Sequence, residues 1–263
     1  MRRASTCLAV LGLAVLALPG LASAAPTVTF KAEAVPISGF PGTGNILGAG
    51  AALQTEFTIS GTEYGGFPAP LVGVNVSLPT GSKLHTTGFP TCTKTVLEQE
   101  GAQACIKKKA SAGPVGKALG VVAFGETRVP ETTEIHSFFA PGGGFEFLAT
   151  GHSPVELEII SSGHYVNLNG GGGFGPKLET GIPLVVTVPG APDASVETIS
   201  VKVGAAYKSH GKPVYYGRLP TKCPKKGFPL KAELTFAPNA QAESPGTGTE
   251  TVDTTYYAPC PKK

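Results

Sequence analysis

The sequence predicts an all-β protein built of antiparallel sandwich-like modules, two in tandem, with one short helix between Cys92 and Cys105. Three observations carry that expectation. Valine, threonine, isoleucine and phenylalanine recur in alternating runs, the pattern of strands with one buried and one wet face. Glycine (36) and proline (24) together supply 60 of the 263 residues, and they fall between those runs, where turns belong. Four cysteines follow an export-type leader, and disulfide stapling suits a framework outside the cytoplasm.

The leader comes first. Met1–Arg2–Arg3 gives a positive start, Cys7 to Leu18 an apolar run, Pro19–Gly20 a break and Ala22–Ser23–Ala24 a small-x-small cleavage pattern. The run is about a dozen residues, too short for a bilayer, which takes ~20. Residues 1–24 are expected to be removed as a signal peptide, Cys7 with them, leaving a freely secreted chain from Ala25. Cys7 precedes the apolar run instead of following it, which argues against a lipoprotein. Leu78–Pro79–Thr80–Gly81 lies mid-chain with no anchor after it, so it is no sorting signal. The chain closes on Pro261–Lys262–Lys263 without a hydrophobic tail, and no transmembrane anchor is expected.

Strands are expected at Thr27–Val35, Leu53–Ser60, Val72–Leu78, Ala118–Gly125, Thr133–Phe139, Phe145–Thr150, Val155–Ser161, His164–Leu168 and Leu184–Val188. The series ends with Val196–Val203, Val214–Leu219, Leu230–Phe236 and Thr249–Tyr257. Val72, Val74, Val76 and Leu78 share one face, as do Val155, Leu157 and Ile159, with polar residues between them. For the helix, Thr95 as cap with Glu98 three residues on makes a capping box that Gly101 ends, with Thr93 as the competing cap.

A weak internal echo divides the chain. Val72-Gly-Val-Asn-Val leads to Phe89-Pro-Thr-Cys92 and a strand ending at Phe124; Ile199-Ser-Val-Lys-Val leads to Leu219-Pro-Thr-Lys-Cys223 and a strand ending at Phe236. Read as duplication, it gives modules at 25–128 and 129–263. Gly170–Gly173 and Asn239–Gly248 read as surface loops. Four cysteines allow three pairings. Cys92 with Cys105 and Cys223 with Cys260 is the local solution, one staple per half.

The chemistry expected of this chain is sparse. Without Arg2 and Arg3, 19 of the 21 basic residues remain against 18 acids, a net charge near +1 that gives a nucleic-acid partner little support. His85, His136, His152, His164 and His210 are scattered, and no CxxC or CxxH spacing marks a metal site. Ser153 with His152 or His164 could suggest a hydrolase, but a triad needs an orienting carboxylate and the only mature aspartates are Asp193 and Asp253. Glu156 with Glu158, and Glu134 with His136, share strand faces as any solvated sheet allows. Asn167 and Asn169 form a lone pair beside glycines. No cofactor is expected.

Tryptophan is absent, which weakens a sugar-stacking platform. Tyr207 stands alone, while the pairs Tyr215–Tyr216 and Tyr256–Tyr257 place one ring on each sheet face, where packing with a bonded hydroxyl is the simplest role. Lys107–Lys108–Lys109 and Lys225–Lys226 could meet an anionic wall polymer, although short charge runs in turns are usually just solvated. The sequon Asn75–Val76–Ser77 lies inside an expected strand.

The segments Phe89-Pro-Thr-Cys-Thr-Lys-Thr-Val-Leu-Glu-Gln-Glu-Gly-Ala-Gln-Ala-Cys105 and Leu219-Pro-Thr-Lys-Cys-Pro-Lys-Lys-Gly-Phe-Pro-Leu-Lys-Ala-Glu-Leu-Thr-Phe236, with Ala258-Pro-Cys260, resemble motifs of an uncharacterised family of secreted, disulfide-containing all-β proteins of actinobacteria. Ile106 and three lysines stand where that family carries Pro and a Gly-Ser turn. The resemblance implies export, β architecture and cysteine pairing, and no activity. The expected role is an exported, non-enzymatic extracellular or cell-surface protein that binds or builds, with a cell-wall polymer or another surface protein as candidate partner. The alternatives are a secreted hydrolase acting on polysaccharide or ester, and a lipid or small-ligand carrier, which an enclosed apolar cavity would favour.

Overall fold

The computed structural model describes residues 25–63, 66–124, 127–153, 156–167, 173–184, 194–237 and 249–261. The expected leader, Asp193, Asn169 and most of the two expected loops lie outside them. The strands run β1 (Thr27–Val35), β2 (Ala52–Ser60), β3 (Leu71–Pro79), β4 (Lys83–Leu84), then helix α1 (Lys94–Lys107), β5 (Gly116–Phe124), β6 (Thr127–Phe139), β7 (Phe145–Gly151), β8 (Leu157–Asn167) and β9 (Phe174–Gly181). They continue with β10 (Ser195–Val203), β11 (Ala206–Ser209), β12 (Lys212–Tyr215), β13 (Gly217–Arg218), β14 (Phe228–Phe236) and β15 (Glu250–Ala258).

Eleven strands form one antiparallel sheet in the order β1-β2-β10-β5-β6-β7-β8-β9-β3-β14-β15. Its two ends come together, β1 lying along β15 with Phe30 edge-on to Tyr256 at 6.4 Å, so the sheet is nearly closed into a barrel. The expectation of two tandem modules finds no counterpart in this order. β10 from the second half sits between β2 and β5 of the first, and β3 from the first sits between β9 and β14. The expected boundary falls inside β6, which pairs with β5 from Gly116↔Ile135 to Phe124↔Thr127. Alternation fixes which residues face inward, but not which strand becomes the neighbour.

Most expected strands appear within a few residues of their expected ends. Two expected strands are in fact one: β8 runs unbroken through Ser161–Ser162–Gly163, because Gly163 pairs with Phe145 on one side and Thr180 on the other. β9, with Pro176 and two glycines, was hidden by its turn-like composition. It is held from both flanks by β8 and β3. Val214–Leu219 divides into β12 and β13 around Tyr216, whose N–H donates to Ala205 O at 3.0 Å. Of Leu184–Val188, only Leu184 is described, outside any strand.

The helix corrects two expectations. Thr93 is the cap, its Oγ1 accepting from Val96 N–H at 3.2 Å. Gly101 reverses the helix and does not end it, with φ 71° and ψ −177°. A straight helix would part residues 92 and 105 by ~20 Å, yet the Cys92–Cys105 bridge holds their Cα atoms 5.5 Å apart. The chain therefore doubles back at Gly101, where only glycine takes that positive φ cheaply. Leu97 and Cys105, both fully buried, seal this hairpin to Phe138 and Leu148 on the outer wall of β6 and β7. Cys223 pairs with Cys260, Cα atoms 6.0 Å apart, tying the approach to β14 to the exit from β15. Among the described residues no helix is long and apolar enough to cross a membrane.

Candidate functional site: the barrel lumen

Eleven strands enclose more room than their side chains readily fill, since about eight already suffice to hold a small ligand. The barrel resolves this unevenly. On one side β1, β2, β14 and β15 collapse on one another. Phe30 stacks on Phe57 at 4.9 Å, and Ala232, Leu234 and Phe236 are fully buried against them. On the other side β2, β3 and β5 to β10 stay apart around a cavity of about 190 Å³. Most of the expected apolar faces point into it: Val74, Val76 and Leu78 from β3, and Leu157 and Ile159 from β8. Leu71 takes the place expected of Val72, where the ladder to β14 shifts register, and Val155 lies outside the described residues.

The inward positions explain why the space remains. Ala118, Gly120, Ala149 and Ala194 line it where larger side chains would meet across the lumen. Gly163 leaves a notch in β8, since a Cβ there would sit 2.8 Å from Thr180 Oγ1. A Cβ on Gly151 would collide with the Glu131 carboxylate, which is 2% exposed and accepts the Ser153 N–H at 3.3 Å.

Several lining hydroxyls are turned into the wall. Thr55 donates to Val201 O at 3.3 Å, Thr133 to Ala118 O at 3.4 Å and Ser195 to Pro68 O at 2.6 Å. Three are not. Ser161 and Thr180, each 8% exposed, and Tyr165 line the cavity around the Gly163 notch, and among the described residues nothing bonds their hydroxyls. Burial, reinforced by Tyr216 nearby, pushes the Tyr165 hydroxyl well up, so it stays a neutral donor.

An aromatic plug closes the end of the lumen beside Tyr165. Phe89, Phe139, Phe145 and Tyr216 pack with ring centroids 4.6 to 5.8 Å apart. The Tyr216 hydroxyl accepts the Gly144 N–H at 3.0 Å and donates to Gly144 O at 3.3 Å. Burial pushes it up to about 12, the bonding to Gly144 offsetting part of the rise. Beyond the plug a smaller cavity of about 90 Å³ shares Leu53, Leu78, Tyr165 and Val203 with the lumen.

The residues singled out in the sequence lie elsewhere. Ser153 follows β7 at one end of the barrel, while His164 follows Gly163, level with Phe145 at the other. Six residues of strand put about 20 Å between those levels, so no Ser–His pair forms there. His164 faces outward to Glu179 at 3.7 Å and His136 to Glu134 at 4.0 Å. Ser162 donates to Glu146 at 2.5 Å, and Glu156 and Glu158 are exposed.

Asp253 belongs to an outer-wall ladder in which Lys231 bridges it at 2.8 Å and Glu233 at 2.9 Å, and Lys177 bridges Glu233 at 2.7 Å and Glu179 at 3.1 Å. Asn75 accepts the Thr180 N–H at 3.3 Å. Among the described residues no three His, Cys, Asp or Glu groups gather as metal ligands. As the pairs predicted, Tyr216 is buried while Tyr215 lies under Arg218 at 4.8 Å; Tyr256 packs on the core and Tyr257 is exposed.

The lumen itself escaped sequence reasoning. Its one readable signal is the recurrence of alanine and glycine at inward positions. The chain matches no protein-family model, no curated protein and no solved structure.

Proposed function

We propose that this is an exported, non-enzymatic binding protein whose barrel lumen carries an apolar small molecule. The observation that carries the reading is a large apolar cavity with three unspent hydroxyl groups at one place in its wall. Empty apolar space costs cohesion that packing would otherwise supply, whereas an apolar guest restores it. Pockets that bind small molecules share this composition of apolar walls and a few convergent polar groups. Among the described residues Glu131 is the one charged side chain in the lining, which holds no Lys or Arg. The guest on this reading is uncharged, with one hydrogen-bond acceptor set against Ser161, Thr180 and Tyr165. The two disulfides favour an oxidising, extracellular setting, and the two cysteine segments support a place among the secreted actinobacterial proteins they resemble.

Titration with the neutral fluorophore N-phenyl-1-naphthylamine tests it. The probe brightens on binding, and a medium-chain ketone displaces it better than the alkane or the fatty acid of equal length. Tyr165→Phe costs the ketone about five- to tenfold in affinity, one hydrogen bond, and leaves the alkane unchanged. Failure of every apolar probe to bind refutes the reading.

A further inference from the structure

The barrel is electrically polar along its axis. At the plugged end the strands are joined by segments 36–51, 80–93, 108–115, 140–144, 204–227 and 259–261. These contain nine lysines and arginines and not one aspartate or glutamate, while helix α1, between 80–93 and 108–115, is balanced, with Lys94 and Lys107 against Glu98 and Glu100. Lys208 and Lys212 stand on the β11–β12 hairpin, Lys225 and Lys226 in the turn before β14, and Lys83 opposite Arg218 across the β4–β13 pair. All nine are exposed, and among the described residues none is ion-paired. Two cations set directly across a two-stranded ladder repel each other, so the pairing of Lys83 with Arg218 adds nothing to the ladder's stability. At the opposite end, the described residues joining the strands (61–63, 66–70, 152–153, 156, 182–184, 194, 237 and 249) carry two carboxylates, Glu63 and Glu156, and no lysine or arginine.

A second observation sits on the same basic pole. Among the described residues five large apolar side chains are left exposed: Ile46, Val115 and Tyr257 belong to segments or element ends at this pole, Ile106 to the last turn of α1, and Leu184 lies away from it. Tyr257 lies within 6.0 Å of the Lys226 ammonium. Polyanions in solution select charge alone. Exposed apolar and aromatic groups set among lysines match a surface whose anionic headgroups overlie hydrocarbon. The smaller cavity also opens here, lined by Lys83 and Arg218 and continuous in its lining with the lumen.

We infer that the basic pole docks on an anionic lipid bilayer, with Ile46, Val115 and Tyr257 entering the headgroup layer. Flotation with two vesicle types tests this: phosphatidylcholine alone, and phosphatidylcholine with phosphatidylglycerol. The protein floats with the second, not the first, and added salt releases it. Each pole charge removed weakens binding about fivefold, so Lys225→Glu with Lys226→Glu lowers it by at least about twenty-five-fold, and Lys208→Glu with Lys212→Glu does the same. Lys31→Glu, on an exposed strand face, has little effect. Val115→Ser and Ile46→Ser weaken vesicle binding while leaving binding to soluble polyphosphate unaltered.

Equal binding to both vesicles overturns the inference. So does polyphosphate binding as tight as vesicle binding and indifferent to Val115 and Ile46, which would make the partner a soluble or wall polyanion. A protein that binds vesicles but no apolar probe would refute the lumen reading and leave this one standing.

Discussion

Ala149→Phe separates a cavity from a packed core by the sign of its effect. Ala149 lies in the middle of β7, flanked across the ladders by Ile135 and Ile159, and all three line the lumen. At ~24 cal/mol per Å³ of void, the full cavity of about 190 Å³ corresponds to about 4.5 kcal/mol of lost cohesion. A phenyl ring occupying roughly half of it recovers about 2 kcal/mol, less ~0.5–1 kcal/mol for fixing the new side chain. The variant is therefore more stable by about 1–1.5 kcal/mol, or ~2–6 °C in Tm for a chain of this size. In a filled interior the same ring would cost ~1–3 kcal/mol through displaced neighbours. Urea unfolding followed by far-UV circular dichroism distinguishes the two: the midpoint rises with its slope unchanged, and the same protein no longer brightens N-phenyl-1-naphthylamine. A midpoint lowered by 1 kcal/mol or more (about the minimum overpacking cost) would refute the argument, because it would mean the lumen is already occupied by its own side chains.

Three further predictions follow from the outer wall. Thr93→Ala removes the observed cap and lowers stability by about 1 kcal/mol, whereas Thr95→Ala changes the midpoint by less than about 0.5 kcal/mol; equal losses would restore Thr95 as the cap. Replacing both Cys92 and Cys105 by alanine releases a closed loop and costs about 3 kcal/mol, with added protease cleavage near Gly101 as the local readout.

Two carboxyls, one half-buried and one buried, give opposite pH profiles. Hydrogen bonding from Lys177, with Lys231 adding to it against the effect of burial, holds Glu233 below the ordinary carboxylate range. Its contribution is present above the unfolded carboxyl pKa and is lost as pH falls through the folded one. Glu233→Gln therefore costs about 1 kcal/mol near neutrality and nothing in acid. Burial pushes Glu146 up, only partly opposed by its bond from Ser162, so its contribution is present below the unfolded pKa and lost as pH rises through the folded value. Glu146→Gln stabilises near neutrality and not in acid. Parallel unfolding-midpoint curves for parent and variants across the acid range would contradict both assignments.

How much of this was legible beforehand follows from the range of each interaction. Strand alternation is a property of neighbours in the chain. For that reason β1, β2, β3, β7, β10, β14 and β15 lie within about two residues of their expected ends. β9 was invisible because its proline and glycines favour turns locally, and only the ladders to β8 and β3 override them. Thr93 and Thr95 offer the same hydroxyl at nearly the same place. Which of them caps depends on where Cys92 is pinned beside Phe139.

The chain by its own chemistry determined that it would form half-buried antiparallel strands and that nearby cysteines would pair, because alternation and short loops act between residues close in sequence. Only the closed sheet decided that β10 and β3 would cross between the halves, that eight strands would face one another around a cavity kept open by a few alanines and glycines, and that lysines far apart along the chain would share one pole. Those outcomes depend on which strands become neighbours, and neighbours are chosen by long-range packing.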